Sequence, residues 1–335
     1  MSEIAVKVTR GSLVESIHRA DIAVVNNKGK LLYSLGNPYK LTYMRSAAKP
    51  IQTLNVILSG AAEKFSFTDR EISIMCASHY GEDFHRETIN GILKKIGLGI
   101  DNLLCGSTLS LNEEYAEKLL WDHVKINPLY TDCSGKHCGI LSICILKGYD
   151  ICSYNLPEHP VQKEVKKIVS EVCSIKEDSM IIGIDGCTVP IFGMPLYNMA
   201  LGFCKMANNS VFEEKYKSAA DRVFKAMTKA PEMVAGTGGF CTELMKNTGG
   251  RIIGKLGAEG VYCIGVKDMN LGIAIKIEDG STRALWPTAI KCLEDLKVLR
   301  EEEKRTLGRF KVKDNTNNIK EKVGEIFPDF HLNKN

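Results

Sequence analysis

No apolar run in this sequence approaches the ~20 residues that a bilayer-spanning helix needs. The opening stretch, MSEIAVKVTRGSLVES, also lacks the apolar segment of an export signal. Low-complexity tracts and internal repeats are missing, which removes solenoid and disordered architectures. Charge of one sign is scarce too: 44 Lys and Arg stand against 40 Asp and Glu, and the basic residues are scattered rather than striped. Such a balance gives no electrostatic footprint for nucleic acid or a membrane surface. The expectation is a soluble, cytoplasmic protein that binds neither.

Cysteine, by contrast, is plentiful. Twelve cysteines would suit a disulfide scaffold in a short secreted chain, but here they are spread over 335 residues and several lie in apolar runs such as GILSICIL. Without an export signal they read as reduced thiols, most of them small core residues, with any special one a metal ligand or reactive group. At 44% hydrophobic the chain can bury a large core. No linker rich in Pro, Gly or Ser divides it, so residues 1–335 are expected to form one domain with interlocked α/β and helical parts.

IAVKVTRG, DIAVVN, KLLYSLG and KLTYM read as strands, with a turn at Asn27 to Gly29. A helix is expected after Lys49, through PIQTLNVILSGAAEK. Residues 161–173 carry the clearest helical period: Val161, Val165, Ile168, Val169 and Val172 share one face, and Pro160 suits the first turn. MIIGID, at 180–185, reads as a short buried strand. RIIGKLG, GVYCIGV and GIAIKIEDG form an antiparallel meander, followed by a helix from about Ser281. The charged stretch 301–322 reads as a solvated helix and loop. Strands at both ends with helices between them give an α+β class, an antiparallel sheet packed with helices plus a helical region.

Chemistry concentrates where buried elements end. In YMRSAAKPIQ, Ser46 precedes Lys49 by three residues, the spacing of a helix face. A serine is a weak nucleophile until a base removes its proton, and lysine is a base only when neutral. Burial or nearby positive charge such as Arg45 lowers a lysine pKa, whereas Pro50 disfavours helical geometry at Lys49. The same residues also fit an ordinary polar helix start, so the pair does not decide by itself. CASHYGEDFH places Ser78 and His79 in a polar break, and GKLGAEG places Lys255 beside a glycine-rich turn. In TDCSGKHCG and GIDGC, Cys133, Cys187 and Asp185 are of zinc-ligand type, and ligand chemistry alone favours His137 as the fourth. His18, His85, His123 and His159 stand alone and read as structural or surface residues.

In order along the chain, RGSLVESIHRAD, MRSAAKPIQ, CASHYGEDFH, CGST, CSGKHCG, HPVQ, GIDGCTVPIFGMPL, FCTELM, KLGAEGVY, IKIEDGSTRA and VGEI resemble the rhizobial-type L-asparaginases, also called asparaginase II. The resemblance covers nearly the whole chain. It implies a fold like that of serine β-lactamases and the related glutaminases, and hydrolysis of L-asparagine to L-aspartate and ammonia. It also implies two Ser-Lys pairs in one site, Ser46–Lys49 and Ser78–Lys255, with Ser46 the expected attacking group, Lys49 the base that takes its proton, and Ser78 with Lys255 the relay to the leaving ammonia. A zinc ion is implied on Cys133, Lys136, Cys187 and a water that Asp185 orients, which replaces His137 by a lysine. Arg45 and His79 are expected against the substrate or behind the metal, in a homodimer. Two places depart from the family pattern: Thr131-Asp132 stands where Asn-Asn is common, and Thr108-Leu109-Ser110 replaces a His-Pro element. A glutaminase, another Ser-Lys amidase, or a silent zinc- or amino-acid-binding protein of the same fold are the alternatives.

Overall fold

A computed structural model describes residues 1–212 and 214–335. β1 (Glu3–Arg10) and β2 (Leu13–Asn26) pair antiparallel, and β3 (Leu31–Leu35) returns along β2 after a turn in which Gly29 N–H donates to Asn26 O. β4 (Leu41–Tyr43) leaves this sheet to join β5 (Ile181–Ile184) and β6 (Pro190–Pro195) in a separate one, ordered β4-β6-β5. The meander β7 (Ile252–Gly257), β8 (Val261–Val266) and β9 (Leu271–Ile277) pairs back onto β2. β10 (Lys313–Thr316) and β11 (Lys322–Pro328) complete the order β10-β11-β1-β2-β9-β8-β7, while the short β12 (Asn333–Lys334) pairs with β3. The α+β class and antiparallel sheet are as expected.

All seven residues of β9 are buried, because helices cover this part of the sheet. Leu196–Ala207 packs on β2, β8 and β9, and Thr282–Asp295 packs on β1, β9 and β11. A strand without a solvent face has no reason to alternate polar residues, hence the continuous apolar runs of the meander. The helical region is inserted between β4 and β5, where Lys49–Leu58, Asp69–Met75, Ser134–Lys147 and Pro160–Cys173 pack together. The last of these is capped by His159, whose side chain accepts from Val161 N, and buries the valine face read from the sequence.

Three local expectations need correction. The 180–185 segment is not buried: Ile181, Ile182 and Ile184 are 47%, 37% and 57% exposed, since β5 is an edge strand of a small sheet. The 301–322 stretch contains β10, which pairs with β11 rather than remaining a loop. Lys49 is helical (φ −55°, ψ −42°) despite Pro50, because a 3₁₀ turn over Arg45–Ala48 runs straight into the helix and Lys49 N–H donates to Ser46 O.

Two glycines bring the parts together. A Cβ on Gly135 would lie 2.1 Å from Ile74 O, and one on Gly257 would lie 2.6 Å from Met44 O. The first approach seats the Ser134–Lys147 helix against the Asp69–Met75 helix, just before Ser78. The second seats β7 against the Ser46 turn. Gly135→Ala is therefore expected to destabilise the protein by about 1–3 kcal/mol, the range for forced overpacking. Urea denaturation checks this, and an unchanged midpoint would contradict it.

Candidate active site and metal centre

The segment Ala77–Tyr80 is fixed by its backbone: Ser78 N–H donates to Val234 O (2.9 Å) and Tyr80 N–H to Ala235 O (2.7 Å). Ser78 is thereby held between two buried lysines. Lys255, from β7, places Nζ 2.8 Å from Ser78 Oγ, and Lys49, from the first turn of its helix, places Nζ 3.0 Å from the same oxygen. Lys49 Nζ also donates to Ala77 O (2.6 Å) and Asp132 Oδ2 (3.1 Å), with Asp132 O farther off at 3.5 Å, so each of its three protons has an acceptor. Among the described residues no side-chain hydrogen bond joins Ser46 Oγ to Lys49 Nζ, although their backbones are bonded in the helical turn. Ser46 instead lines a cavity of about 510 Å3 together with Ser78, Arg45, Asp132, Asp185 and Glu259. A pocket of that volume suits a small organic ligand.

The two lysines differ electrostatically. Burial pushes Lys255 down to about 7, and the positive charge of Lys49 pushes the same way. Burial acts on Lys49 as well, but the Asp132 carboxylate and the nearby cysteines outweigh it and hold Lys49 above its ordinary value. One lysine is thus fixed as an ammonium and the other is able to exist as a free amine near neutral pH. Sequence reasoning noted Asp132 only as a departure. Its place beside Cys133 was the available signal that it would face the same centre.

His79 does not face Ser78. Its Nδ1 accepts from Gly81 N–H (3.1 Å), so the proton sits on Nε2, 2.9 Å from Ser134 Oγ. Burial holds its pKa well below the usual imidazole value. Both ring nitrogens are occupied, and a Ser-His arrangement has no lone pair to use.

Cys133, Asp185 and Cys187 form a group whose ligand atoms all lie within 4.8 Å of one another. A tetrahedral ion with sulfur bonds of ~2.3 Å sets its ligands ~3.8 Å apart, so this donor set fits a thiophilic metal. Lys136 Nζ is 3.0 Å from Cys187 Sγ. The Cys133 thiol is pushed up and that of Cys187 far down, chiefly by the hydrogen bond between them, with the Lys136 ammonium favouring the Cys187 thiolate. Arg45 donates to Asp185 Oδ1 through Nε (3.1 Å) and Nη2 (2.8 Å), leaving Oδ2 towards Cys187. Arg45 holds this pose at φ +50°, an uncommon backbone region for a side chain of its size.

His137 lies outside that ligand group. Its Nδ1 is 2.7 Å from the Tyr154 hydroxyl, and its buried Nε2 has no hydrogen-bond partner among the described residues. The other lone histidines are mostly accounted for structurally: His85 Nδ1 accepts from Glu82 N–H at a helix start, and His18 pairs with Asp279. None of the twelve cysteines is in a disulfide, and Cys152 alone is exposed. Among the described residues no helix is long and apolar enough to cross a membrane.

A family model described as L-asparaginase II matches residues 6–328. No curated protein sequence matches the chain. Similar solved structures include a β-lactamase from Mycobacterium bovis, with TM-score 0.41 and 12% identity over 87% of this chain and 95% of the other. A structure of Mglu in 4.3 M NaCl has TM-score 0.38 and 13% identity over 83% of this chain and 61% of the other.

The paired thiols make the metal centre directly testable. Titration with cadmium should produce an ultraviolet thiolate-to-metal charge-transfer band, as expected for a thiophilic ion on cysteine sulfur. Cys187→Ser should abolish it and Cys292→Ser should not. A band that survives in the Cys133/Cys187 double variant would contradict the site.

Proposed function

The chain belongs to the L-asparaginase II family, and from that premise we propose that it hydrolyses L-asparagine to L-aspartate and ammonia through a Ser-Lys mechanism. The observation that supports the chemistry is Ser78 Oγ held between a charged lysine and one poised near neutrality, beside Ser46 in one cavity. A protein that only binds an amino acid has no need of such a pair.

In this reading Ser46 Oγ attacks the carbonyl carbon of the side-chain amide, since it lines the cavity and its hydroxyl has no hydrogen bond among the described residues. Its proton passes through Ser78 to Lys255, the base that is neutral in part at pH 7. The oxyanion is stabilised by backbone N–H groups beside Ser46, where β7 presents its unpaired edge, and by the fixed charge of Lys49. Collapse breaks the C–N bond, and the proton on Lys255 goes to the leaving nitrogen as ammonia forms. Water then cleaves the Ser46 ester, returning the serine proton and releasing L-aspartate. The 2.8 Å contact of Ser78 with Lys255 also favours a second reading, in which Ser78 itself attacks. Zinc is the metal proposed for Cys133, Lys136 and Cys187, with Asp185 orienting a bound water, and Lys136 must give up its proton to bind. It would supply a fixed positive charge that orients the substrate.

A homodimer is also proposed. β5 is an open edge of three isoleucines and one glycine without a lysine, proline or bulge to guard it, and two copies could pair antiparallel there about a two-fold axis. Light scattering should then give twice the 37.1 kDa chain mass for wild type and the chain mass for Ile182→Lys. A monomeric wild type would contradict it.

Ammonia release from Asn, Gln and a blank separates asparaginase, glutaminase and silent binder. Ser46→Ala is expected to lower kcat by at least ~100-fold, the scale of a lost nucleophile or proton relay. Intact mass after a denaturing quench should place an aspartyl ester on Ser46, and an ester on Ser78 would select the second reading.

The pH profile carries a definite sign. A base with a lowered pKa acts when deprotonated, so kcat/KM for Asn should fall about tenfold per pH unit below ~7 and level off above it. Because an ordinary imidazole titrates nearby, the same profile is measured in His79→Gln, where the midpoint should not move. A midpoint that vanishes with His79 would contradict the lysine base.

A further inference from the structure

The charges that line the cavity are almost all spoken for. Arg45 is paired with Asp185, and Asp132 with Lys49. Glu259 is the exception: it is an exposed residue that lines the cavity with Leu256 and Gly257, and among the described residues its carboxylate has no hydrogen bond or ion pair. Its backbone is unusual as well. Glu259 turns the β7–β8 hairpin at φ +60°, a left-handed position that glycine or asparagine occupies more readily. Held strain of that kind concentrates at functional sites.

The turn does not hold Glu259 by its carboxylate. Lys276, buried on β9, directs its ammonium to the backbone carbonyl of Glu259 and to Ile277 O (2.7 Å). Lys276 therefore hydrogen-bonds the main chain of Glu259 and not its carboxylate, although the Glu259 charge acts on it electrostatically. A free α-amino acid brings one group that requires such a partner, its α-ammonium. Every other carboxylate lining the cavity already has a cation.

We propose that Glu259 is a specificity-determining residue that receives the α-ammonium group of the substrate, so that the cavity selects a free α-amino acid amide over amides that lack that charge. This rests on the amidohydrolase reading above. Peptide-linked asparagine, whose nitrogen is an uncharged amide, would lose the interaction.

The test compares L-asparagine with succinamate, which has the same amide and carboxylate but no amino group, in wild type and Glu259→Gln. The variant should raise KM for L-asparagine about tenfold or more, the scale of a lost charged hydrogen bond, with kcat little changed and succinamate kinetics unaltered. An unchanged KM for L-asparagine, or an equal loss on both substrates, would overturn the proposal. Isothermal titration of L-aspartate and succinate separates this from the function itself. If wild type binds aspartate more tightly than succinate and Glu259→Gln removes the preference, Glu259 has the assigned role even in a protein that releases no ammonia. If wild type shows no preference, the assignment is wrong whatever the assay of activity gives.

Discussion

Two lysine nitrogens within 3.0 Å of one serine oxygen are the constraint on which the centre depends. Both are buried, and two ammonium groups ~4 Å apart repel by ~4 kcal/mol even at an effective dielectric constant of 20. Dehydration adds to this and is the larger effect on Lys255. Its displacement from 10.5 to about 7 corresponds to ~5 kcal/mol against the charged form. The pair is tolerable only if one charge is compensated and the other surrendered. Asp132 compensates Lys49, whereas among the described residues Lys255 has no carboxylate within hydrogen-bond reach and burial brings it down to about 7. One lysine is thereby held as an ammonium, and the other can exist as a free amine near neutral pH.

The same economy of contacts ties the Ser-Lys cluster to the candidate metal-binding group. Asp132 holds Lys49 and is followed directly by Cys133, while Arg45, next to Ser46, holds Asp185. Displacement of either carboxylate would be felt on both sides of the cavity. The segments come from positions 45–49, 77–79, 132–137, 185–187 and 255–259, and only close backbone approach lets them meet. Gly135 and Gly257 supply that approach, which is a physical reason for glycine within CSGKHCG and KLGAEG.

Much of this was legible in the sequence, for reasons that differ by element. The 161–173 helix was readable because one face is buried and the other solvated, and the β7–β9 meander because apolar runs are separated by turn residues. β5 misled because an apolar run of four does not say whether a partner covers it. Pro50 misled because a local steric preference is weaker than a 3₁₀ turn already leading into the helix. At the site, residue types and spacing nominated Ser46, Lys49, Ser78 and Lys255 but could not give their connectivity. That Lys49 reaches Ser78 depends on how the Ala77–Tyr80 segment hangs from Val234 and Ala235, more than 150 residues away in sequence. The charge states were illegible for the same reason, since they follow from burial and from Asp132.

The division of charge between the lysines can be read without any substrate. Protein labelled with 13C at the lysine ε-carbon, titrated by NMR from pH 5 to 11, should show one resonance with a midpoint near 7 that is lost in Lys255→Arg. The Lys49 resonance, identified by its loss in Lys49→Arg, should remain that of an ammonium beyond pH 10. If every lysine titrates above ~9, or if the low midpoint persists in Lys255→Arg, the neutral base at Ser78 does not exist and the account fails.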